Sequence, residues 1–412
     1  MQYIVKAPKR IQTEITLPAS KSICNRALII HALTKDSILP QNLSDCDDTM
    51  VMIRALNEMP EVIDVGAGGT AMRFMTAFLS ATESGQHVIT GTERMRHRPI
   101  GVLVDALKQL GATISYEEEK GYPPLRIQGE KLEGGVIEMA GNVSSQYISA
   151  VLLIGPILEK GLELRLTSDI ASRPYIDLTL SIMREYGAAV EWTDINTITV
   201  KPKPYERRTY TIENDWSAAS YWYEMLALSN DLENQVCLPG LLDGSLQGDS
   251  VVRFLFSMLG VKTAFNERGV EISRHFRTLT RMDYDFINQP DLAQTLVTTC
   301  CALGIPFHFT GLASLKIKET DRIEALKTEL RKLGYMLYDT NNSELYWDGE
   351  RCNEEEQPTI DTYEDHRMAM AFAPLAIKLG EICINNPQVV SKSYPHYWDN
   401  LRKAGFDIIE TL

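Results

Sequence analysis

Lys318, Glu319 and Arg322 set a cation, an acid and a second cation within five residues. Such a trio can hold an anion and move a proton beside it. Asp291, in Asn288-Gln289-Pro290-Asp291, is a second acid; it suits either a helix cap or a carboxyl aimed into a cleft. Similar polar and cationic groups recur along the chain: Lys21, Ser22 and Arg26; Arg96-His97-Arg98; Ser144, Ser145 and Gln146; Ser172, Arg173 and Tyr175; His366-Arg367; and Lys392. Backbone N–H groups at a helix start, backed by hydroxyls and cations, suit a carboxylate or a phosphate. Each segment taken alone also suits a plain capped helix with solvated charges. His366 alone reads as a hydrogen-bonded structural residue.

The elements around these residues follow from pattern. The alternation Leu315-Lys316-Ile317-Lys318 predicts the end of a strand. Asp321 with Glu324 reads as an N-cap with its reciprocal acid, and Ile323, Leu326, Leu330 and Leu333 recur at helical spacing up to Gly334. Lys318 and Glu319 then occupy a strand-to-helix corner. Elsewhere a strand is expected over 11–17, followed by a helix capped by Ser20 or Ser22. Pro99 and Pro174 read as first helical residues, Ile148–Leu153 as an apolar helix, and 192–210 as an edge strand and connector. Asn214-Asp215 caps WSAASYWYEMLALS, and Cys300-Cys301 lie within a helix as core. Gly66-Ala67-Gly68-Gly69-Thr70-Ala71 follows the strand-like EVIDV and mimics a dinucleotide fingerprint, although no ribose acid stands about twenty residues on. A glycine turn that admits an anion to backbone amides explains it equally.

A helix tail ending in glycine and running into a strand recurs at Gly111, Gly187, Gly260, Gly334 and Gly405, at spacings of 76, 73, 74 and 71 residues. A sixth copy, ending near Met59, has lost its glycine. Units of this length suit a few strands with two helices, and six of them suggest two domains of three. A domain change is expected near residue 213.

Composition narrows the function classes. A net charge of −14 disfavours nucleic acid as a bulk partner, yet leaves room for anionic substrates where basic residues converge. Seven cysteines without a CxxC pair argue for reduced thiols and against a disulfide or zinc framework. MQYIVKAPKR has no apolar signal-peptide core, and the longest apolar run, 148–158, is broken by Gly155-Pro156. A cytoplasmic protein away from membranes is expected.

The segments SKSICNRAL, GGTAMR, RHRPIG, GNVSSQYISA, SRPYIDLTL, NDWSAASYW, QPDLAQT, KIKETDRI and TYEDHRMAMAFA, with Lys392, resemble the 5-enolpyruvylshikimate-3-phosphate synthase family of enolpyruvyl transferases. The likeness runs in order over essentially the whole chain. It implies an α/β (α+β) fold of two domains, each of three βαβαββ-like units with inward-facing helices, around a substrate cleft. The domains would be residues 1–18 with 214–412 and residues 19–213, hinged near 18–20 and 213. It implies transfer of the enolpyruvyl group of phosphoenolpyruvate to the 5-hydroxyl of shikimate 3-phosphate, a step toward chorismate and the aromatic amino acids, with no cofactor or metal. A monomer is expected.

By motif match, Lys21, Ser22, Arg26, Ser144, Ser145, Gln146, Ser172, Tyr175, Asp291 and Lys318 would hold shikimate 3-phosphate. Lys21, Gly69, Arg98, Gln146, Arg322, Arg367 and Lys392 would hold phosphoenolpyruvate. Asp291 is then the candidate base with Lys318 beside the hydroxyl, Glu319 the candidate acid, and Lys21 a further catalytic cation. Ala67, Phe74, Arg173 and Ser314 depart from the family's commoner residues, which bears on binding strength. Retention of Gly69 implies sensitivity to glyphosate. The rival readings are a UDP-N-acetylglucosamine enolpyruvyl transferase, whose reactive loop cysteine has no counterpart over Thr92–Arg98, a dinucleotide oxidoreductase and a non-catalytic phosphometabolite binder.

Overall fold

The same four-stranded sheet is built five times in the computed structural model, which describes residues 1–411. In chain order, β1 (Gln2–Lys6), β2 (Gln12–Glu14), α1 (Lys21–Leu33) and α2 (Asp47–Glu58) come first. A complete repeat follows: β3 (Val62–Asp64), α3 (Gly69–Ala81), β4 (Gln86–Thr90), a short α4 (Glu93–Arg96), α5 (Gly101–Gln109), β5 (Thr113–Tyr116) and β6 (Leu125–Gln128). The next is β7 (Gly135–Met139), α6 (Ser145–Ile154), β8 (Leu162–Leu166), α7 (Arg173–Glu185), β9 (Val190–Asp194) and β10 (Thr197–Val200). The third takes β2 as its first strand and adds α8 (Trp216–Leu228), β11 (Gln235–Pro239), α9 (Val252–Met258), β12 (Val261–Asn266) and β13 (Gly269–Arg274). β14 (Met282–Asp285), α10 (Ala293–Leu303), β15 (Phe307–Thr310), α11 (Arg322–Lys332), β16 (Tyr338–Thr340) and β17 (Glu344–Trp347) form the fourth. The fifth is β18 (Thr359–Ile360), α12 (His366–Phe372), α13 (Ala376–Leu379), β19 (Glu381–Asn385), α14 (Tyr397–Lys403) and β20 (Asp407–Thr411), with β1 as its remaining strand.

In each sheet the first two strands are parallel, as β3 and β4 are, and the other two add antiparallel, β6 on β4 and then β5 on β6. The parallel step needs a crossover, while the antiparallel pair closes as a hairpin except in the fifth sheet, where β1 and β20 come from opposite ends of the chain. The βαβαββ order of the sequence thus gives a sheet whose last two strands are exchanged, as in β3-β4-β6-β5. Where a sixth sheet would complete the set, α1 and α2 stand with a single bridge, Gln41 to Thr211.

By contact, the described residues divide into a terminal unit, Met1–Pro18 with the chain from Glu213 onward, and an inner unit, Ala19–Ile212. Each has its own apolar core. In the inner unit α3 is buried along its whole length, and in the terminal unit every residue of α8 except Ser217 is buried. A helix apolar on all sides belongs at the centre of its layer. Among the described residues no helix is long and apolar enough to cross a membrane, and the seven cysteines form no disulfide.

The glycine punctuation has a conformational cause. Gly334, after α11, has φ +83°, a region where a β-carbon is strained. Gly111, Gly187, Gly260 and Gly405 follow α5, α7, α9 and α14 in the same way, and Met59 takes φ +41° where the glycine is missing.

Three local expectations are corrected. Residues 313–317 form a 3₁₀ turn, not a strand end. Leu315 is buried but Ile317 is 55% exposed, so their alternation does not mark the two faces of a sheet. The strand expected over 11–17 is only Gln12–Glu14, the length that pairs with β11. Pro99 precedes α5, whose N-cap is Ile100, and its carbonyl accepts from Arg73 Nη2 at 3.0 Å; Pro174 is the second residue of α7. The edge strand and connector expected over 192–210 are present: β9 lies at the edge of its sheet, and Lys201–Pro204 follows the end of β10, where prolines cannot donate to a ladder.

Candidate active site

In the terminal unit the charges gather on Arg322. Asp321 caps α11 by accepting from Glu324 N at 3.1 Å, while Glu324 itself pairs with Lys327 instead of returning to the cap. Arg322 is therefore the first helical residue, only 1% exposed, and its guanidinium meets three acids. Nε donates to Asp365 Oδ2 at 2.6 Å, Nη1 to Asp291 Oδ1 at 3.0 Å and Nη2 to Glu319 Oε2 at 3.0 Å. Asp365 also caps α12, accepting from Arg367 N at 2.9 Å. That fixes Arg367, whose Nη2 lies 3.0 Å from Asp291 Oδ2 and whose Nη1 donates to the Asp291 carbonyl at 3.1 Å. Lys318 Nζ is 3.4 Å from Asp291 Oδ1, and Lys392 Nζ is 2.8 Å from Glu319 Oε1.

Asp291 stands in a 3₁₀ turn, Pro290–Leu292, that leads into α10; its carboxyl serves these cations and does not cap the helix. Burial works against its ionisation, but Arg367, Lys318 and Arg322 outweigh it and hold the carboxyl well below the ordinary range. Burial lowers the Lys318 ammonium, with Asp291 partly restoring it. Burial likewise pushes the Tyr221 hydroxyl, 3.5 Å from Arg367 Nη1, up to about 12. The result is a nest of two lysines, two arginines and three carboxylates, with cations in excess by one, in which each acid has cations that an incoming anion could claim.

The inner unit builds a second set at helix starts. Lys21 opens α1, and its Nζ is 3.1 Å from Asp48 Oδ2 in the first turn of α2. Gly69 opens α3 with the Arg98 guanidinium directly over it: a β-carbon there would lie 2.7 Å from Arg98 Nη1. Ser144 caps α6, and Gln146 Nε2 donates to Thr70 Oγ1 at 3.2 Å, tying the starts of α6 and α3 together. Arg26 is 3% exposed and spans α1, α6 and α7, donating to Thr179 Oγ1 at 2.7 Å, Ser149 Oγ at 3.0 Å, and the carbonyls of Ser22 and Tyr175. Burial brings its guanidinium down to about 10. Ser172, the N-cap of α7, takes φ +54° and makes no capping bond with its hydroxyl. Ser145 is the first residue of α6 and is buried.

The structure thus joins Asp291, Lys318, Glu319, Arg322, Arg367 and Lys392 in one cluster of the terminal unit. In the inner unit Lys21, Gly69 and Gln146 stand at helix starts with Arg98 over Gly69, while Arg26 faces the α6–α7 contact and donates to the carbonyls of Ser22 and Tyr175. Sequence reasoning missed Asp365, Asp48 and Tyr221. The only signal for the two acids was their place at or just after a cap, where an acid is expected in any case.

The chain is similar to known proteins over nearly its whole length. The family model for EPSP synthase (3-phosphoshikimate 1-carboxyvinyltransferase) matches residues 5–63 and 58–401. A Bacteroides fragilis 3-phosphoshikimate 1-carboxyvinyltransferase is 59% identical over 408 residues, covering 99% of both chains. One from Mannheimia haemolytica is 34% identical over 425 residues, covering 96% of this chain and 97% of its own. Among solved structures, an EPSP synthase from Acinetobacter baumannii superposes with a TM-score of 0.78 at 20% identity, over 99% of this chain and 100% of that one. The enolpyruvyl transferase NikO from Streptomyces tendae gives 0.74 at 16% identity, over 100% and 98%. By family model and full-length identity, the chain belongs to the EPSP synthase family.

Proposed function

We propose that this protein transfers the enolpyruvyl group of phosphoenolpyruvate to the 5-hydroxyl of shikimate 3-phosphate and releases phosphate. The observation that carries the reading is the pairing of two acids, Asp291 and Glu319, through one buried arginine in a chain 59% identical to a relative of that name. Lys21, Gly69, Arg98 and Gln146 of the inner unit and Arg322, Arg367 and Lys392 of the terminal unit are the groups for phosphoenolpyruvate. Lys21, Ser22, Arg26, Ser144, Ser145, Gln146, Ser172 and Tyr175, with Asp291 and Lys318, are those for shikimate 3-phosphate.

Glu319 gives a proton to the methylene carbon, building positive charge on the carbon beside it. The 5-hydroxyl oxygen bonds to that carbon as its proton passes to Asp291, with Lys318 steadying the oxygen. Glu319 then takes a proton back from the new methyl group as the carbon–oxygen bond to phosphate breaks. A carboxylate surrounded by Arg367, Lys318 and Arg322 is a weak base. Substrate anions that draw those cations away restore its basicity, so Asp291 accepts a proton only once the substrates are in place. The protein acts as a cytoplasmic monomer in this reading.

Phosphate release, measured with phosphoenolpyruvate and each acceptor in turn, tests it. Release is expected with shikimate 3-phosphate alone. Release with UDP-N-acetylglucosamine, or with neither acceptor, overturns it.

A further inference from the structure

Inside the apolar core of the terminal unit, α8 and α10 meet along a polar seam. Ser220 Oγ is 3.2 Å from Thr295 Oγ1, and one turn further Thr298 Oγ1 donates to Glu224 Oε1 at 2.7 Å. Ser220, Glu224, Gln294 and Thr298 are all 0% exposed. Gln294 is one turn before Thr298 on the same face of α10, and its carbonyl lies 3.0 Å from Thr298 Oγ1, whose single hydrogen goes to Glu224. Yet Glu224 Oε2 and both side-chain polar atoms of Gln294 have no hydrogen-bond partner in the protein. Buried polar atoms are satisfied as a rule, by protein or by enclosed water, because a bare one forfeits its hydration. Three on facing helices in one core point to something held between them.

We propose that Glu224, Gln294 and Thr298 build an internal water site between α8 and α10, with Glu224 carried as the neutral acid. This stands independently of the reaction assigned above. A carboxylate there would lack a counter-charge: the side chain that bonds to it is Thr298, the Thr299 hydroxyl nearby donates to the Thr295 carbonyl, and the titratable groups acting with it are Cys300 of α10 and Tyr397 of α14. Burial raises the Glu224 carboxyl well above its ordinary value and holds both of those neighbours uncharged at neutral pH. The neutral acid makes Oε2 a donor. A water accepts that hydrogen and donates to Gln294 Oε1, and the Gln294 amide can donate to the water's second lone pair or to a further water, the two to four bonds usual for enclosed water.

The seam gives two largely apolar helices a fixed register. That matters because Asp291 lies one turn before Gln294, and Tyr221, which faces Arg367, one turn before Glu224.

Linkage supplies the test. A carboxyl neutral in the folded chain and ionised in the unfolded one makes the fold bind one extra proton, so stability falls as pH rises above the unfolded value of about 4.3. Glu224→Gln keeps the shape and the hydrogen bonds but cannot ionise. In denaturant unfolding, the unfolding constant of the wild type divided by that of Glu224→Gln is expected to grow about tenfold per pH unit from about pH 5 to 7. A ratio independent of pH overturns the proposal. Should the variant not fold, a high-resolution crystal structure of the wild-type protein decides: a water within hydrogen-bond reach of Glu224 Oε2 and Gln294 is expected. A direct Glu224–Gln294 bond, or a cation in that place, overturns it.

Discussion

Arg322 Nε donates to Asp365 Oδ2 at 2.6 Å, and the two side chains are 2% and 0% exposed. Through the same guanidinium Asp365 governs both acids of the cluster, since Asp291 and Glu319 each bond to Arg322 at 3.0 Å. Removing Asp365 leaves the buried Nε without its acceptor while Asp291 and Glu319 stay bonded to the arginine, at a cost of about 1.5–3 kcal/mol. Asp365→Ala is therefore expected to lower unfolding stability by roughly that amount, while Glu356→Ala in an exposed loop changes it by less than about 0.5 kcal/mol. Urea titration separates the two. Similar midpoints for both variants would show that Asp365 does not anchor the arginine.

Glu319 is held by Lys392 at 2.8 Å and Arg322 at 3.0 Å, so Glu319→Gln keeps volume and most of the contacts while losing proton transfer. A fall in kcat of about 10²–10⁴ is expected, with little change in melting temperature. Lys318→Ala, which removes the cation 3.4 Å from Asp291, should also depress kcat strongly. Steady-state rates near wild type in both variants would remove the acid–base assignment.

The ionised state of Asp291 makes acid stability informative. Its folded carboxyl lies well below its unfolded value of about 3.9, so the stabilisation is complete above that value and disappears as pH falls through the folded one. Asp291→Asn cannot gain that proton. Between about pH 5 and pH 2 the wild type should lose stability more steeply than Asp291→Asn, and parallel curves from acid titration of unfolding would contradict the assignment.

The repeats were legible because their punctuation is local chemistry. A glycine at positive φ after a helix, as at Gly334, and a side chain that caps, as Asp215 and Asp321 do, leave marks in consecutive residues. The meeting of Arg322 with Asp291, 31 positions apart, and of Arg26 with Thr179, 153 apart, leaves none. Residue type and spacing offered Arg322, Asp291 and Arg26 one by one, and only the family resemblance assigned them to common substrates. Asp48 and Asp365 stayed hidden because a functional acid at a helix start looks the same as a structural one. The short apolar alternation at Leu315–Lys318 failed for another reason: four residues cannot distinguish a strand from a 3₁₀ turn that buries one side chain.

Asp48 Oδ2 lies 3.1 Å from Lys21 Nζ, and the Asp48 side chain is only 5% exposed. Asp48→Ala frees the lysine to wander and leaves an anion less well met. The expected result is a KM for phosphoenolpyruvate raised by about tenfold, the worth of 1.4 kcal/mol, with kcat changed less. A loss confined to kcat would instead place Asp48 in the chemistry.

Gly69 is the position where one added carbon has the sharpest consequence. A β-carbon would lie 2.7 Å from Arg98 Nη1 and 3.2 Å from its Cζ, so the guanidinium must shift. Arg98 is 9% exposed, which leaves little room for the adjustment. The methyl group would also project toward whatever anion Arg98 holds, and a larger inhibitor suffers more from it than a compact substrate. Gly69→Ala is therefore expected to raise the KM for phosphoenolpyruvate by about tenfold and the glyphosate concentration needed for half-inhibition by a larger factor, with stability little changed. Inhibition assays at fixed low phosphoenolpyruvate compare the two factors directly. If glyphosate and phosphoenolpyruvate lose affinity equally, the methyl acts only through the displaced arginine, and the inhibitor does not reach the glycine at all.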